Sequence, residues 1–482
     1  MTHFTPIPCQ TRSRGLLCLL FGAILLNVQG CGTTLQPWHT ADLSEEYSAH
    51  KTDEIRTFDD YTQLEDKLFT QLKEEVYDQV GTGPEYELVR YSGGSAADPE
   101  GHKPNWNRSF ELPAQSPVGG ALLLHGMSDS PYTLRALAEA LNRRSYWVVG
   151  LRLPGHGTAP SGLTSVTRQD MAGAVDLAMK HLANKVGTRP IHMAGYSTGA
   201  ALALDFSLNA LDGSTSPVPA SLILISPAIG IHPGAALVSF VDGLSALPGL
   251  KSLAYAQILP EFDPYRYNSF AINAGDVVHR LTRSVARRVV ARARSNPTNV
   301  LPPTLILKST VDATVSTDAV LDRLLNRLAP GRHGLVLFDI NRFAVKSTLL
   351  VSDPRSLTNR LLGDATLPFT FTLVTNKTPE STEVVALTKA PFSAIASETE
   401  LLDLRWPLDV ISLSHVALSI PLDDPLYGER PPTNKNALFL GQMAIQGERG
   451  LLKLSGDWLL RMRYNPFYPF FEQRILNWVD AH

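Results

Sequence analysis

From Val118 onward, short apolar runs alternate with segments of helical periodicity, and this alternation constrains the fold more than any other feature. The runs are nearly all apolar, as are strands that are buried on both faces of a sheet. The segments between them place apolar residues three and four positions apart, which is typical of amphipathic helices. The clearest runs are "GALLLHG", the start of "YWVVGLRLPGHG", "RPIHMAG", "ASLILISPA" and "PPTLILKST". The pattern therefore predicts an α/β fold, with a mostly parallel central sheet flanked by helices.

Two segments do not follow the alternation. Residues 228–301 have helical character and lie between two predicted strands, so we expect an inserted cap. Residues 342–404 contain "FTFTLVT" and "TEVVALTK", which predict extra strands within a second insertion. The C-terminal "PFFEQRILNWV" predicts a last helix. Because 44% of the residues are hydrophobic, the chain can bury a large core, and we expect one domain over residues 118–482 that carries both insertions.

The segment before this domain divides into two parts. Residues 31–58 are polar and acidic, lack a sustained apolar period, and predict a flexible tether. Residues 59–117 begin with two acidic residues and continue with apolar residues at helical spacing, which predicts an amphipathic helix. The stretch "YSGGSAADPEGHKPNWNRSFEL" is rich in Gly, Pro and Asn and predicts a loop. We expect this helix and loop to pack on the main domain.

Residues 1–30 have the pattern of an export signal. Arg12 and Arg14 precede an apolar stretch over residues 15–28, which is shorter than the ~20 residues that a membrane span needs. Residues 28–31, at the end of this stretch, read "VQGC", which resembles the lipobox of bacterial lipoproteins. That resemblance implies cleavage before Cys31, a diacylglycerol on its thiol, and a lipid-anchored protein of the cell envelope that faces the periplasm or exterior. An ordinary export signal with an incidental cysteine remains the alternative.

Cysteine usage and charge bear on three further properties: disulfide bonds, metal sites and nucleic-acid binding. The three cysteines are Cys9, Cys18 and Cys31, and cleavage would remove the first two, which leaves one thiol and no internal disulfide. No Cys/His cluster has zinc-ligand spacing, so we expect no metal. The formal net charge is −3 and gives no indication of nucleic-acid binding.

The segment Gly195–Gly199 reads G-x-S-x-G and lies between a predicted strand and a predicted helix. A chain that turns this sharply holds its central residue in a strained conformation, usually at positive φ. The turn would lift the Ser197 hydroxyl above the strand ends and direct the Thr198 N–H toward an oxyanion on a bound carbonyl. The alternative is a serine that serves only the turn.

A serine hydroxyl needs a base, and three further residues follow predicted strands. Asp312 follows "PTLILKS", and His415 follows "LDVISL". Met127 follows "LLLHG", where its N–H could be a second oxyanion donor. The chain order Ser197, Asp312, His415 is that of the catalytic triad in α/β-hydrolases.

Five motifs resemble those of α/β-hydrolases of the serine carboxylesterase and monoacylglycerol-lipase type. They are "LLLHGMSDSPYTLRALAEAL", "VVGLRLPGHGTAP", "MAGYSTGA", "LILKSTVDATV" and "SLSHVALS". The resemblance implies that Ser197 is the nucleophile, Asp312 the acid and His415 the base, with oxyanion N–H groups from Met127 and Thr198. It also implies that no cofactor is required. The glycine-, alanine- and leucine-rich cap favours an ester substrate with an apolar acyl group.

One departure from the family pattern concerns the histidine. His415 follows Asp312 by 103 residues, whereas family members more often have a few tens of residues between the two. His333 is nearer that spacing, but it precedes its strand and is predicted at the opposite end of the sheet. An insertion over residues 342–404 would explain the long gap.

Two other functions remain open from the sequence. The same fold could act as a peptidase, an amidase or a lipid acyltransferase. Alternatively, the protein could be a non-catalytic envelope lipoprotein on a hydrolase scaffold. The oligomeric state is not determined by the sequence.

Overall fold

The computed structural model describes residues 34–51, 54–230, 251–434, 437–441, 446–453 and 460–482. Residues Met1–Gln36 form one unit of the chain, and Pro37–His482 form another. The predicted signal peptide and Cys31 lie outside the described residues, as do residues 231–250 of the predicted cap.

The described part of the larger unit contains twelve strands. They are β1 (Phe110–Leu112), β2 (Gly119–Leu124), β3 (Tyr146–Leu151), β4 (Ile191–Tyr196), β5 (Ser221–Ile225), β6 (Tyr255–Gln257), β7 (Phe270–Ala271), β8 (Thr304–Ser309), β9 (His333–Phe338), β10 (Thr370–Asn376), β11 (Glu383–Lys389) and β12 (Glu398–Arg405). Ten of them form one sheet in the order β1-β3-β2-β4-β5-β8-β9-β10-β11-β12, and β6 and β7 form a separate ribbon. Neighbouring strands from β3 through β10 are parallel, which confirms the predicted fold class.

Helices cover both faces of the sheet. They are α1 (Pro37–Thr40), α2 (Phe58–Glu75), α3 (Arg135–Arg143), α4 (Arg168–Val186), α5 (Thr198–Leu211), α6 (Ile272–Ser295), α7 (Thr317–Arg323), α8 (Arg355–Gly363) and α9 (Tyr468–Asp480). Consecutive residues of β2 identify the two faces, because successive side chains of a strand point to opposite sides. Ala121 packs in one core cluster with α3 and α9, whereas Gly120 faces Leu182 of α4. The predicted last helix is confirmed as α9.

The second insertion extends the sheet. Its predicted strands are present as β10 and β11, and an additional edge strand, β12, was not predicted. The reason is that β12 is mostly exposed and carries acidic residues where a buried strand would have apolar ones. After β12 the chain returns to the end of β9, where Ile340 and Ser412 form an antiparallel bridge. Residues 342–404 therefore leave and re-enter the body at nearly the same place.

The prediction of a flexible tether over residues 31–58 is wrong for its described part from Pro37 onward. Trp38, Leu43 and Tyr47 are buried, although their spacing follows no helical or strand period. Glu46 pairs with the buried guanidinium of Arg152 at 2.9 Å. Burial of that cation requires carboxylate partners, and the segment supplies one of them.

The next segment contains the expected helix and an unexpected strand. Helix α2 begins at the predicted position, with a capping box between Thr57 and Asp60. It is held on the body by Glu65, which pairs with Arg152 at 2.8 Å, and by the Tyr61 hydroxyl, which donates to the Arg152 carbonyl. The predicted loop after α2 is wrong at its end, where Phe110–Leu112 pair with β3 as β1.

The predicted cap over residues 228–301 consists of two different parts in its described residues: helix α6 and the segment before it. Helix α6 packs against α5 and α4, so it belongs to the helices that flank the sheet. The described part of the segment before α6 contains the β6–β7 ribbon and connecting loops. Among the described residues, no helix combines the length and apolar character needed to cross a membrane.

Candidate active site

Ser197 lies in a tight turn between β4 and α5. Its backbone is strained, with φ of 52° and ψ of −111°. Both flanking glycines are needed for this turn. A Cβ on Gly199 would lie 2.1 Å from the carbonyl oxygen of Leu124, and a Cβ on Gly195 would lie 2.5 Å from the Ala200 nitrogen. The G-x-S-x-G pattern is thus a steric requirement of this strand–turn–helix connection.

We expect Gly199→Ala to destabilise the protein by about 3 kcal/mol, because the new methyl group would collide with the carbonyl group of Leu124 and push the two backbone segments apart. Thermal unfolding should show a clearly lower midpoint for this variant. Gly363→Ala is the matched control, because Gly363 ends helix α8 and no atom lies within 4 Å of a Cβ built there. Equal midpoints for the two variants would contradict the steric explanation.

Asp312 and His415 are in direct contact. Nδ1 of His415 lies 2.9 Å from Oδ2 of Asp312. The other carboxylate oxygen accepts hydrogen bonds from the N–H groups of Thr314 at 2.9 Å and Val315 at 3.0 Å. The carboxylate is therefore held in one orientation. With Nδ1–H donating to it, Nε2 of His415 is left as the basic nitrogen.

A lysine that the sequence analysis did not identify lies beside this pair. Nζ of Lys308 is 3.2 Å from Oδ2 of Asp312, and both side chains are fully buried. Burial alone would raise the pKa of Asp312, but the charges of His415 and Lys308 outweigh it and hold that pKa far below its usual range. Asp312 is thus ionised at neutral pH. The available signal was a lysine within the apolar strand "TLILKS", four residues before the acid.

Glu448 is a second residue that the sequence analysis missed. Its fully buried carboxylate accepts a hydrogen bond from the backbone N–H of His415 at 2.6 Å. It also pairs with Nε of Arg461 at 3.1 Å. Glu448 therefore holds the main chain at the histidine. It lies in the loop sequence "QGERG", which carries no recognisable signal of this role.

The two predicted oxyanion donors lie beside Ser197. Within the described part of the chain, the N–H groups of Met127 and Thr198 donate no hydrogen bond to the protein. A Cβ on Gly126 would lie 3.4 Å from that of Ser197, so the Met127 loop is close to the serine. The Tyr267 N–H steadies this loop by donating to the Ser128 carbonyl at 2.8 Å. Both amides are available to a ligand.

Two other histidines near the site have structural contacts. Nε2 of His125 accepts from the Leu153 N–H at 3.0 Å, so its Nδ1 carries the proton and donates to the Gly126 carbonyl. Nδ1 of His156 lies 2.9 Å from the Pro154 carbonyl oxygen. Burial lowers the pKa of His156 to about 4 and that of His125 well below its usual value. Both side chains therefore hold turns and are not placed to act as the base.

His333 lies at the other end of the sheet. It is the first residue of β9, and its Nδ1 accepts from the N–H of Thr304, the first residue of β8. Ser197 and Asp312 instead follow the carboxyl ends of β4 and β8. The bridge between Ile340 and Ser412 brings His415 to that same end. The structure thus brings His415, and not His333, to Asp312.

A cavity of about 1140 Å³ opens at this end of the sheet. Ser197, His415, Met127 and Thr198 all line it. Apolar side chains from residues 259–278 form another part of its wall: Leu259, Phe262, Phe270 and Val278. The described part of the predicted cap segment therefore contributes to the candidate site.

Residues 121–341 match the sequence model of a family described as "Alpha/beta hydrolase family". Over 140 residues, 28% of this chain, the sequence is 31% identical to a thermostable monoacylglycerol lipase from Bacillus sp. (strain H-257). The chain spans about half the length of that curated relative, 55% of it. The family match and the strand order together define the fold of this chain as that of the α/β hydrolases.

Solved structures of low sequence identity are also similar. A monoacylglycerol lipase from Paleococcus ferrophilus matches at 18% identity and a TM-score of 0.37, over 48% of this chain and 88% of its own. A soluble variant of the monoglyceride lipase from Saccharomyces cerevisiae, solved with a substrate analog, matches at 15% identity and a TM-score of 0.36. That match covers 48% of this chain and 82% of the yeast chain.

Proposed function

We propose that this protein is a serine hydrolase of carboxylic esters, anchored to a membrane by a lipid on Cys31. The observation that carries the enzymatic part is the 2.9 Å contact between His415 and Asp312 at the cavity that Ser197 also lines. The strained serine turn and the two unpaired amides beside it support the same chemistry. The similarity to a monoacylglycerol lipase favours an ester as the substrate.

The mechanism follows from the roles that these groups can take. His415 accepts the Ser197 proton through Nε2 while the serine oxygen attacks the ester carbonyl. Asp312 keeps the imidazole in the required tautomer and stabilises the imidazolium that forms. The N–H groups of Met127 and Thr198 donate to the oxyanion of the tetrahedral intermediate. His415 then protonates the leaving alcohol, and water, activated by the same histidine, hydrolyses the acyl-enzyme.

A fluorophosphonate probe followed by a substrate panel tests this proposal. We expect the probe to label the native protein at Ser197, located by peptide mass spectrometry, and not the heat-denatured protein. The panel should contain 4-nitrophenyl esters of several chain lengths, matching 4-nitroanilides, and alcohol acceptors. Ester hydrolysis should exceed amide cleavage and acyl transfer. Dominant amide cleavage or transfer would assign another reaction, and an unlabelled, inactive protein would indicate a non-catalytic scaffold.

The anchor proposal rests on the sequence of the export signal. Its apolar stretch over residues 15–28 is too short to span a membrane and is followed after two residues by Cys31, which would have no disulfide partner after cleavage. A diacylglycerol on that thiol would hold the enzyme at a membrane surface. It would also place the site close to amphiphilic esters.

We expect Cys31→Ala to move the mature protein from the membrane fraction to the soluble fraction, because the substitution removes the thiol that would carry the lipid. Immunoblots of fractionated cells measure this directly. Cys18→Ala is the matched control, since it removes a thiol within the predicted signal and should leave the protein in the membrane fraction. A Cys31→Ala protein that still sediments with membranes after a high-salt wash would exclude this anchor.

A further inference from the structure

Four arginine side chains line the cavity that Ser197 and His415 share: Arg266, Arg449, Arg461 and Arg463. Three of them have an acidic partner. The pairs are Arg266 with Asp129 at 3.3 Å, Arg463 with Asp263 at 3.2 Å, and Arg461 with Glu448 at 3.1 Å. Arg449 has no acidic partner among the described residues. The cluster thus carries one positive charge more than its partners neutralise.

The acidic partners are already occupied by other donors. Asp263 accepts hydrogen bonds from the backbone N–H groups of Tyr265 and Arg266 and from the Tyr427 hydroxyl, besides its pair with Arg463. A guanidinium group has five N–H donors, and the ion pairs use only part of them. The arginines therefore keep donors for a ligand in the cavity.

The cluster lies close to the reacting groups. Tyr196, the residue before Ser197, lines the same cavity as Arg266 and Arg461. Arg449 directly follows Glu448, which accepts the backbone N–H of His415. An anion bound by the cluster would therefore lie in the cavity that the serine and histidine share.

Another part of the cavity wall is apolar. Leu259, Phe262, Phe270 and Val278 line it and could cover a hydrocarbon chain, in line with the apolar acyl group that the sequence favours. A hydrocarbon chain alone does not account for the arginines in the cavity wall. A cavity with apolar and cationic walls matches an amphiphilic molecule with one anionic group.

We propose that the ester substrate of this site carries an anionic oxyacid group, a carboxylate or a phosphate monoester, which Arg449 binds together with Arg463. This inference rests on the proposed ester hydrolase function. Guanidinium groups suit both anions, because their planar N–H pairs match two oxygens at once. The excess positive charge would attract the anionic substrate. The N–H donors of the two guanidinium groups would then orient the ester at Ser197.

Two matched substrate pairs test the proposal and separate the two anion types. The carboxylate pair is 4-nitrophenyl hemiadipate against 4-nitrophenyl hexanoate. The phosphate pair is 1-decanoylglycerol 3-phosphate against 1-decanoylglycerol. We expect kcat/KM for the anionic member of at least one pair to exceed that of the neutral member by about tenfold or more. Whichever pair shows the preference identifies the anion and its side of the ester.

The variant Arg449→Gln should lower this anionic-to-neutral ratio about tenfold. Arg283→Gln is the matched control, because Arg283 is exposed on α6 and does not line the cavity, and its ratio should equal that of the wild type. Efficient hydrolysis of neutral esters with no anionic preference in either pair would overturn the inference and leave the proposed function intact. A preference that Arg449→Gln leaves unchanged would also overturn it.

A binding measurement makes the test independent of turnover. In isothermal titration, hexyl phosphate should bind the wild type more tightly than 1-hexanol does, and Arg449→Gln should remove the difference. If no ester is hydrolysed but this difference is present, the anion site stands and the ester hydrolase function fails. If hexyl phosphate binds no better than 1-hexanol and no anionic ester is preferred, the anion site is excluded.

Discussion

Ser197→Ala is expected to abolish ester hydrolysis, with kcat reduced by about 10³-fold or more. The substitution removes the attacking oxygen and leaves the contacts that hold the turn. Those contacts are made by the backbone, where the Ser197 N–H donates to the Ile225 carbonyl at 2.9 Å and the Ser197 carbonyl accepts from the Ala228 N–H at 3.1 Å. Initial rates with a 4-nitrophenyl ester should therefore show the loss of activity. The midpoint of thermal unfolding should stay close to that of the wild type.

Ser226→Ala provides a matched control for this variant. Ser226 follows the neighbouring strand β5, is fully buried, has a positive φ of 42°, and its Oγ has no hydrogen-bond partner among the described residues. It therefore shares with Ser197 the position directly after a sheet strand and the positive φ, but it does not line the cavity. We expect the control to keep near wild-type turnover. If Ser197→Ala also did so, Ser197 would not be the nucleophile.

His415→Ala is expected to reduce turnover by about 10³-fold, whereas His333→Ala should keep most of the activity. The reason is the position of each ring. His415 contacts Asp312 at the cavity, and His333 lies at the opposite end of the sheet, where it accepts the Thr304 N–H. Rates for both variants at a saturating ester concentration measure the difference. The reverse pattern would assign the base to His333.

The His333 variant also carries a separate stability expectation. Its removal leaves the buried Thr304 N–H without its acceptor, which costs about 1–3 kcal/mol. His333→Ala should therefore unfold at a lower temperature and yet remain active below that temperature. His415→Ala also loses a buried hydrogen bond, to Asp312, but it should remain inactive even at temperatures at which it is folded. Measuring both properties distinguishes a catalytic from a structural histidine.

Much of this architecture could be predicted from local patterns. The alternation of apolar runs and helical segments determined the parallel sheet, because a strand buried on both faces must be apolar throughout. The segment Gly195–Gly199 determined the serine turn, since only glycine fits the close approaches on either side. Strand direction alone predicted that Asp312 and His333 lie at opposite ends of the sheet, because Asp312 follows its strand and His333 precedes its own.

The tertiary structure decided what depends on contacts between distant parts of the chain. The path of residues 342–404, which returns beside β9 and brings His415 to Asp312, depends on a bridge between strands far apart in sequence. The edge strand β12 had no apolar period to reveal it. The segment from Pro37 onward packs on the body in part because Glu46 pairs with Arg152, a buried cation that follows β3 and requires a carboxylate partner.

The electrostatics of the site also followed from the fold and not from any motif. Lys308 beside Asp312 and Glu448 behind His415 have their roles because burial makes every unpaired charge costly, so charges are brought together in space. The same holds for the arginines of the cavity, of which Arg266 and Arg449 lie far apart along the chain. Periodicity and turn chemistry are local and can be read from neighbouring residues. Charge pairing in a buried site is a property of three-dimensional proximity, which only the folded chain defines.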